Sequence, residues 1–272
     1  AAGALLQALV RNPIASPDLI GITAGAVAAT VAFTAFGPAL PFGTASWVLP
    51  LVATVGGFAT AITVYLLTRR IGTVESTRLL LVGIVTSGVL GSITPVGLIF
   101  LGERAESLLG WLAGSLALKT WADAGLVAVY LAPGVVLAVL AIPRANLLQL
   151  GDGVAVALGQ HRERDRLLVL VAAVVLTAGA VCVVGAIGFV GLVGPHIARR
   201  VVGNDTRRLV PAAAIGGAVM VLLADLVARN LDPRWLLGPL ADDVRAAALP
   251  VGVYLTLFGV PFLLSLLRRS PS

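Results

Sequence analysis

Apolar stretches of membrane-spanning length recur along this chain and constrain its fold more than any other feature. A helix needs about 20 apolar residues to cross the hydrocarbon core of a bilayer. Of the 272 residues, 58% are hydrophobic and only 12% are charged, whereas a soluble domain has about 25% charged residues. The sequence therefore predicts an all-α protein, a polytopic transmembrane helical bundle with lipid as its solvent.

Eight spans and one helical fragment are expected. The fragment, residues 1–10, is too short to cross a bilayer, and we interpret it as the end of a helix that begins outside this sequence. Residues 103–119 predict an interfacial helix, with Trp111 and Trp121 as headgroup-level anchors. The eight predicted spans, of which 188–202 is a shorter, Gly-rich helix, are 19–36, 47–68, 79–101, 122–142, 167–187, 188–202, 209–227 and 249–267.

The longest polar segment is residues 144–166, which we call the polar loop. It ends in an alternating run of charges at 162–166. Glycines interrupt its apolar positions, so it predicts two short helices, with Asp152 capping the second and Gly159 at its C-cap. A short helix with one apolar face fits a groove on a partner protein. The alternative is a helix that lies on the bilayer surface.

The basic residues fall unequally on the two sides of the membrane. Alternating the predicted spans assigns fourteen Lys and Arg residues to one side and five to the other. Because cytoplasmic loops carry the excess of basic residues, we expect the polar loop and the C-terminus to be cytoplasmic. The net charge of +6 thus indicates membrane topology, and no nucleic acid partner is predicted.

Small residues recur in the third predicted span. Gly83, Ser87 and Gly91 follow one another at intervals of four, which predicts close approach of another helix. Ser92 and Thr94 then make the outer half of this span more polar.

The motifs of common enzymes are missing from the sequence. It contains no G-x-x-x-x-G-K-[ST] phosphate loop and no G-x-S-x-G elbow. His161 and His196 are the only histidines, and neither has a second ligand-type residue at metal spacing. Cys182 lies in an apolar run and is interpreted as a buried structural thiol. We therefore predict no catalytic residue, no cofactor site and no metal site.

Two ionisable residues near membrane segments have alternative interpretations. Asp225 could form a coupling-ion or substrate site, because intramembrane carboxylates are costly and often functional. It could equally form an interfacial ion pair with Arg229, four residues further on. His196 follows Pro195, and a hydrogen-bonded packing role is favoured over a proton relay.

Residues 185–200, G-A-I-G-F-V-G-L-V-G-P-H-I-A-R-R, closely resemble the signature of the FecCD-type permeases. These are the membrane subunits of ABC importers for iron–siderophores, haem and cobalamin. Four further stretches match the family in the same order, so the resemblance covers the whole chain. They are residues 7–22, 146–159, 222–229 and 249–262. The residues that we assign to the family signature are Gly188, Gly191, Pro195, His196 and Arg199.

The resemblance implies an assembly in the cell (inner) membrane. Members have about ten spans, so residues 1–272 would form a single permease domain that lacks the first span and most of the second. We expect a second permease subunit, as a homodimer or with a similar chain, and a substrate-binding protein outside. Two cytoplasmic ATPase subunits would hold the ATP and Mg, with no cofactor in this chain.

The resemblance also assigns residues to roles. The polar loop would couple to the ATPase, and Arg229 would pair with the binding protein at the outer rim. From the spacing of small residues, and not from the resemblance, we also expect the substrate path to pass that face of the third span. The assigned coupling residues are Leu150, Gly151, Asp152, Ala155, Leu158 and Gly159, and the assigned gate or pathway residues are Gly83, Ser87, Gly91, Ser92 and Thr94.

The sequence departs from the family pattern at two places. An insertion at 230–247 precedes Ala248, where the family has Glu, and Gly153 stands where the family has an acidic residue in the polar loop.

An iron–siderophore complex is the expected substrate, with haem or cobalamin as alternatives. An ion-coupled secondary transporter working through Asp225 is the alternative of another class, and a membrane scaffold is a third.

Overall fold

The computed structural model describes residues 1–36, 47–70, 73–74, 76–102, 105–117, 119–151, 161–230 and 250–269. Helices make up nearly all of this part of the chain, which confirms the all-α prediction. A 3₁₀ turn, Asp18–Ile20, lies between the first two helices. The helices are α1 (Ala2–Val10), α2 (Ile22–Phe36), α3 (Val48–Thr68), α4 (Ser76–Leu101), α5 (Ala105–Leu112), α6 (Trp121–Leu148), α7 (Arg162–Val184), α8 (Val190–Val202), α9 (Thr206–Asn230) and α10 (Val251–Arg269).

A two-residue antiparallel ladder joins α3 to α4. Strand β1 (Arg69–Arg70) pairs with β2 (Thr73–Val74), with Arg69 opposite Val74 and Arg70 opposite Thr73. Apart from this hairpin, the described residues contain no β-structure.

Five of the described helices, α3, α4, α6, α7 and α9, are long and apolar enough to cross a membrane. The apolar helix α2 has 15 residues, and the apolar part of α10 is Val251–Phe262. Helix α8 has 13 residues, a length of about 20 Å at 1.5 Å per residue. The Gly-rich segment expected as a short span is therefore shorter than the roughly 30 Å hydrocarbon core.

Both ends of the polar loop are helical. We expected α6 to end near residue 142, but it continues through Pro143 to Leu148. We expected the next span to begin near residue 167, but α7 begins at Arg162 and includes the charged run. The acidic residues Glu163 and Asp165 lie in the first turn of α7, where the helix dipole favours negative charge. Periodicity of apolar residues could not reveal these polar turns.

The short helix α1 lies in the largest hydrophobic cluster of the molecule. Leu5 and Leu6 have no exposed surface, and α1 packs against α6, α7, α8 and α9. Apolar residues on every side of a helix are typical of burial on every side. The segment that was too short to be a span is thus central to the core.

Contacts between helix termini define two ends of the bundle. At one end, which we call the arginine-rich end, the C-terminal parts of α3 and α6 meet the N-terminal parts of α7 and α9. The C-terminal parts of α1 and α8 meet at the same end. At the other end, which we call the tryptophan end, Tyr130 Oη donates to the carbonyl of Trp47 at 3.2 Å. Trp111 lies at this end, against Gly185.

Candidate transport and partner sites

Helix α1 packs against α8 at a pair of glycines. A Cβ on Gly3 would overlap the carbonyl group of Gly191. Pro195 lies inside α8 and has no N–H, so the Gly191 carbonyl lacks its normal partner four residues on. A Cβ on Gly191 would in turn lie 2.8 Å from Pro17 Cδ. Gly191 therefore allows α1 and α8 to pack closely, and Pro195 frees the Gly191 carbonyl that lies at the contact.

Arg199, one turn further along α8, is bound to the same helix. Its Nη2 donates to Gln7 Oε1 at 2.8 Å. Gln7 is buried, and its Nε2 has no acceptor among the residues that the structure describes. The hydrogen bond holds the end of α8 against α1 at the arginine-rich end.

The other two signature residues have different surroundings. The His196 ring meets the Phe262 ring edge to face, with centroids 5.6 Å apart, a geometry that favours aromatic pairs. This contact supports the packing role for His196, but the expected hydrogen bond is not seen at Nε2, which has no partner among the described residues. Gly188 precedes α8, and no atom lies within 4 Å of the position of its Cβ.

Irregular backbone between α7 and α8 packs at the tryptophan end. Gly185 has a φ of 82°, and a Cβ there would overlap the carbonyl of Trp111. Ser115 N donates to the Val184 carbonyl at 3.1 Å, and Gly252 N donates to the Gly114 carbonyl at 3.0 Å. Non-helical backbone is tolerated at membrane depth only where protein buries it or it lines a cavity. Here Gly185 is buried and residues 186–189 are half-buried.

The gate candidates of α4 divide between two faces of that helix. On the buried face, a Cβ on Gly83 would overlap the carbonyl of Leu19. The Ser87 hydroxyl lies within donating distance of the Gly83 carbonyl (2.8 Å) and the Asp18 carbonyl (3.2 Å). Thr94 Oγ1, which is partly buried, donates to the Leu90 carbonyl at 3.3 Å. This face therefore packs within the chain.

Gly91 and Ser92 lie on the exposed face of α4. No atom lies within 4 Å of a Cβ position at Gly91 or at Gly88, and Ser92 Oγ donates to the Gly88 carbonyl at 2.9 Å. Because a step of four residues overshoots one helical turn by about 40°, Gly91 is rotated well away from Gly83. Pro95 also leaves the Gly91 carbonyl without its helical partner.

The polar loop is described only in part. Leu150 is 60% exposed, and Gly151, with a φ of 104°, has Arg11 Nη1 3.6 Å from its Cβ position. Asp152, Ala155, Leu158 and Gly159 lie outside the described residues, as do Gly153 and the insertion after Asn230.

Polar side chains fix the helices on either side of the polar loop. Arg144 Nε, on α6, donates to Asp165 Oδ1, on α7, at 2.9 Å. Tyr65 Oη donates to Glu163 Oε2 at 3.3 Å and so joins α3 to α7.

Helix α6 also contacts the beginning of α9. Asn146 Oδ1 accepts hydrogen bonds from the backbone N of Thr206 at 3.1 Å and from its hydroxyl at 3.2 Å. Gln149 Nε2 donates to the same hydroxyl. Thr206 has no exposed surface.

The ion pair expected as one interpretation of Asp225 is present. Arg229 Nε donates to Asp225 Oδ2 at 2.7 Å. The Arg229 side chain is 58% exposed, and it lies near the end of α9 that is remote from the arginine-rich end. Asp225 is thus already partnered by a cation, which favours the interfacial pair over a coupling-ion site.

Asp18 lies in the turn before α2. Its Oδ1 accepts a hydrogen bond from Thr23 Oγ1 at 2.6 Å. Burial around the carboxyl raises the pKa of Asp18, while the Thr23 hydrogen bond opposes that shift.

No group of three or more metal-ligating side chains occurs among the described residues. Cys182 is buried and unbonded to another cysteine, as expected.

The family model of the FecCD transport family matches residues 1–269, nearly the whole chain. The chain belongs to the FecCD transport family. This confirms the resemblance that the five motif stretches indicated.

Similar proteins occur in Bacillus subtilis and Escherichia coli. The Fe(3+)-citrate import system permease protein YfmE of Bacillus subtilis is 34% identical over 98% of this chain and 75% of its own length. The Fe(3+) dicitrate transport system permease protein FecD of Escherichia coli is 35% identical over 98% of this chain and 78% of its own. The ferric enterobactin transport system permease protein FepG of E. coli is 37% identical over 97% and 75%.

A solved structure has the same fold as this FecCD chain. It is an inward-facing metal-chelate type ABC transporter, with a TM-score of 0.80 and 30% sequence identity. The match covers 99% of this chain and 82% of the other.

Sequence reasoning missed three positions in this FecCD chain. Gly3, Asn146 and Thr206 hold helices together, yet none of them stood out from its neighbours. Asn146 lies inside a stretch that matches the family, but its position alone does not reveal a contact 60 residues away.

Proposed function

We propose that this chain is the permease subunit of an ATP-driven importer and that its substrate is an iron–siderophore complex. The observation that carries the proposal is the match along nearly the whole chain to the FecCD family. The names of similar permeases, for Fe(3+)-citrate and ferric enterobactin, support a ferric chelate. Haem and cobalamin stay as alternatives within the same class.

The exposed face of α4 is the proposed wall of the path. Gly88, Gly91 and Ser92 form a patch of small residues beside the exposed Ile84 and Val89. The Gly91 carbonyl adds a hydrogen-bond acceptor to the patch. The bulky apolar side chains around this patch suit lipid or a second subunit, so the proposal for the path rests on the patch itself. A second permease subunit, as a homodimer, would place two such faces on either side of the substrate.

The partners follow from the class of transporter. Two ATPase subunits would bind the polar loop on the cytoplasmic side, where Leu150 presents an exposed apolar side chain. The binding protein would dock on the other side, where Arg229 is exposed. The C-terminus would then be cytoplasmic, in agreement with the distribution of basic residues.

Reconstitution tests this function and its rival together. The permease is reconstituted in proteoliposomes with its ATPase and its binding protein. Uptake is then measured separately for radiolabelled ferric citrate, a ferric catecholate, haem and cobalamin. We expect uptake of a ferric chelate that requires both ATP and the binding protein. Uptake by the permease alone under a proton or sodium gradient would instead support a secondary transporter.

A further inference from the structure

Side chains of α6 cap the N-terminus of α9. The Thr206 N–H is in the first turn of α9, where backbone N–H groups have no partner within the helix. Asn146 Oδ1 accepts from that N–H at 3.1 Å and from the Thr206 hydroxyl at 3.2 Å. Gln149 completes the group by donating to the hydroxyl. We call Asn146, Gln149 and Thr206 the α6–α9 latch.

Burial makes the latch costly to break. Thr206 has no exposed surface, so in the packed bundle its N–H and hydroxyl depend on Asn146 and Gln149 for hydrogen-bond partners. A buried polar group without a partner costs about 1–3 kcal/mol. The cost of losing these hydrogen bonds would therefore oppose separation of the C-terminal end of α6 from the first turn of α9.

The two helices lead to different proposed partners. Helix α6 ends at Leu148, beside the exposed Leu150 of the polar loop. Helix α9 extends from Thr206 to Asn230 with Pro211 inside it, so it is about 37 Å long. Its far end carries the exposed Arg229. One helix thus spans from the latch to the proposed docking surface for the binding protein.

We infer that the α6–α9 latch is the positioning element that transmits movement of the polar loop to the outer end of α9. This inference rests on the proposed function, because it needs an ATPase at one end and a binding protein at the other. Thr206, Asn146 and Gln149 act through helix position and touch no substrate.

The test compares Thr206→Val with Thr206→Ser in the purified complex of permease, ATPase and binding protein in nanodiscs. Valine keeps the shape of threonine and removes the hydroxyl, whereas serine keeps the hydroxyl. With Thr206→Val we expect basal ATP hydrolysis to persist and stimulation by substrate-loaded binding protein to fall about fivefold or more, the usual range of coupling between sites. Thr206→Ser should restore the stimulation.

Thr177→Val is the matched control. The Thr177 hydroxyl is also buried, but it donates to the Ala173 carbonyl of its own helix at 2.8 Å. We expect stimulation to be unchanged in this variant. Gln149→Met is a milder test of the latch, since it leaves the bonds of Asn146 in place, and it should lower stimulation less than Thr206→Val does.

The outcomes separate the latch from the proposed function. Equal stimulation in Thr206→Val and Thr177→Val overturns the latch. A parallel fall of basal and stimulated rates with Thr206→Val, without rescue by Thr206→Ser, also overturns it, because that pattern reports a purely structural role. If Thr206→Val fails to assemble, unchanged stimulation in Gln149→Met decides against the latch. A wild-type complex that ignores the binding protein contradicts the proposed function and this inference with it.

Discussion

Arg199 Nη2 and Gln7 Oε1 lie 2.8 Å apart, although 192 positions separate the two residues in the chain. The bond joins the end of the signature helix α8 to the buried helix α1. Gln7→Leu would leave the half-buried guanidinium without this acceptor. We expect the free energy of unfolding to fall by about 1–3 kcal/mol.

Cys182 provides the measurement for this variant. It is the only cysteine in the chain and it is buried, so a thiol-reactive fluorophore labels it only on unfolding. Gln7→Glu, which keeps an oxygen acceptor for Arg199, serves as the control. An unchanged labelling midpoint for Gln7→Leu would show that the bond contributes nothing to stability.

The same substitution should have opposite consequences at two glycines of α4. Gly83→Leu forces a side chain against the Leu19 carbonyl, and we expect loss of the folded protein, since overpacking costs about 1–3 kcal/mol or more. The leucine side chain of Gly91→Leu would contact no other part of this chain. The protein should therefore fold and assemble, while uptake falls. Normal uptake by Gly91→Leu would mean that this face points to lipid.

A charge at Leu150 should weaken attachment of the ATPase. Leu150 is exposed and apolar, and burying an unpaired charge in a protein contact costs free energy. With Leu150→Asp we expect less ATPase to co-purify with the permease, while Leu150→Met should retain it.

Gly159→Glu tests the part of the polar loop outside the described residues. It would break the expected C-cap and place a charge in the expected contact. We expect hydrolysis to stop responding to the binding protein, or the ATPase to dissociate. A variant that keeps its ATPase and its stimulated hydrolysis would exclude the polar loop as the coupling element.

Reversal of the charge at Arg229 should weaken docking of the binding protein. Arg229→Glu places two carboxylates four residues apart, at the position where Arg229 now contacts Asp225 at 2.7 Å. We expect a several-fold lower affinity that depends less on salt, because rim charges act mainly on association. Asp225→Asn keeps the Arg229 charge and should dock normally. Equal affinities in detergent for Arg229→Glu and the wild type would remove Arg229 from the interface.

Asp18→Asn should change how stability depends on pH. Because burial raises the pKa of Asp18 in the folded protein, the protonated carboxyl stabilises the fold at low pH, and this contribution is lost as pH rises through the raised pKa. Asparagine keeps an acceptor for Thr23 and does not titrate. The variant should therefore melt higher than the wild type at neutral pH, and the difference should vanish on acidification. A difference independent of pH would contradict the raised pKa.

Local patterns in the sequence predicted the helices well where the helices are apolar. Helix α3 begins and ends within a residue of the expected 47–68, because its boundaries coincide with changes in hydropathy. The polar first turns of α7 were not predicted, since Glu163 and Asp165 obtain partners from α3 and α6. A partner on another helix leaves no mark on local hydropathy.

The row of small residues in α4 shows the same division. The spacing of Gly83, Ser87 and Gly91 correctly indicated close approach at its first position, where the Leu19 carbonyl leaves no room for a side chain. The spacing could not indicate that Gly91 lies to one side of this contact. That outcome depends on the position of the turn before α2, which packs against Gly83 and ends before it reaches Gly91. Gly91 is consequently exposed.

By itself, the sequence determined that this chain is a helical membrane protein of the FecCD family, because hydropathy and motif order are local properties of the chain. Only the tertiary structure decided which residues hold the helices in place. Gly3 lies under the Gly191 carbonyl, and Asn146 caps α9 across 60 positions. Such contacts depend on how helix axes cross, which packing of the whole bundle sets and no local pattern encodes.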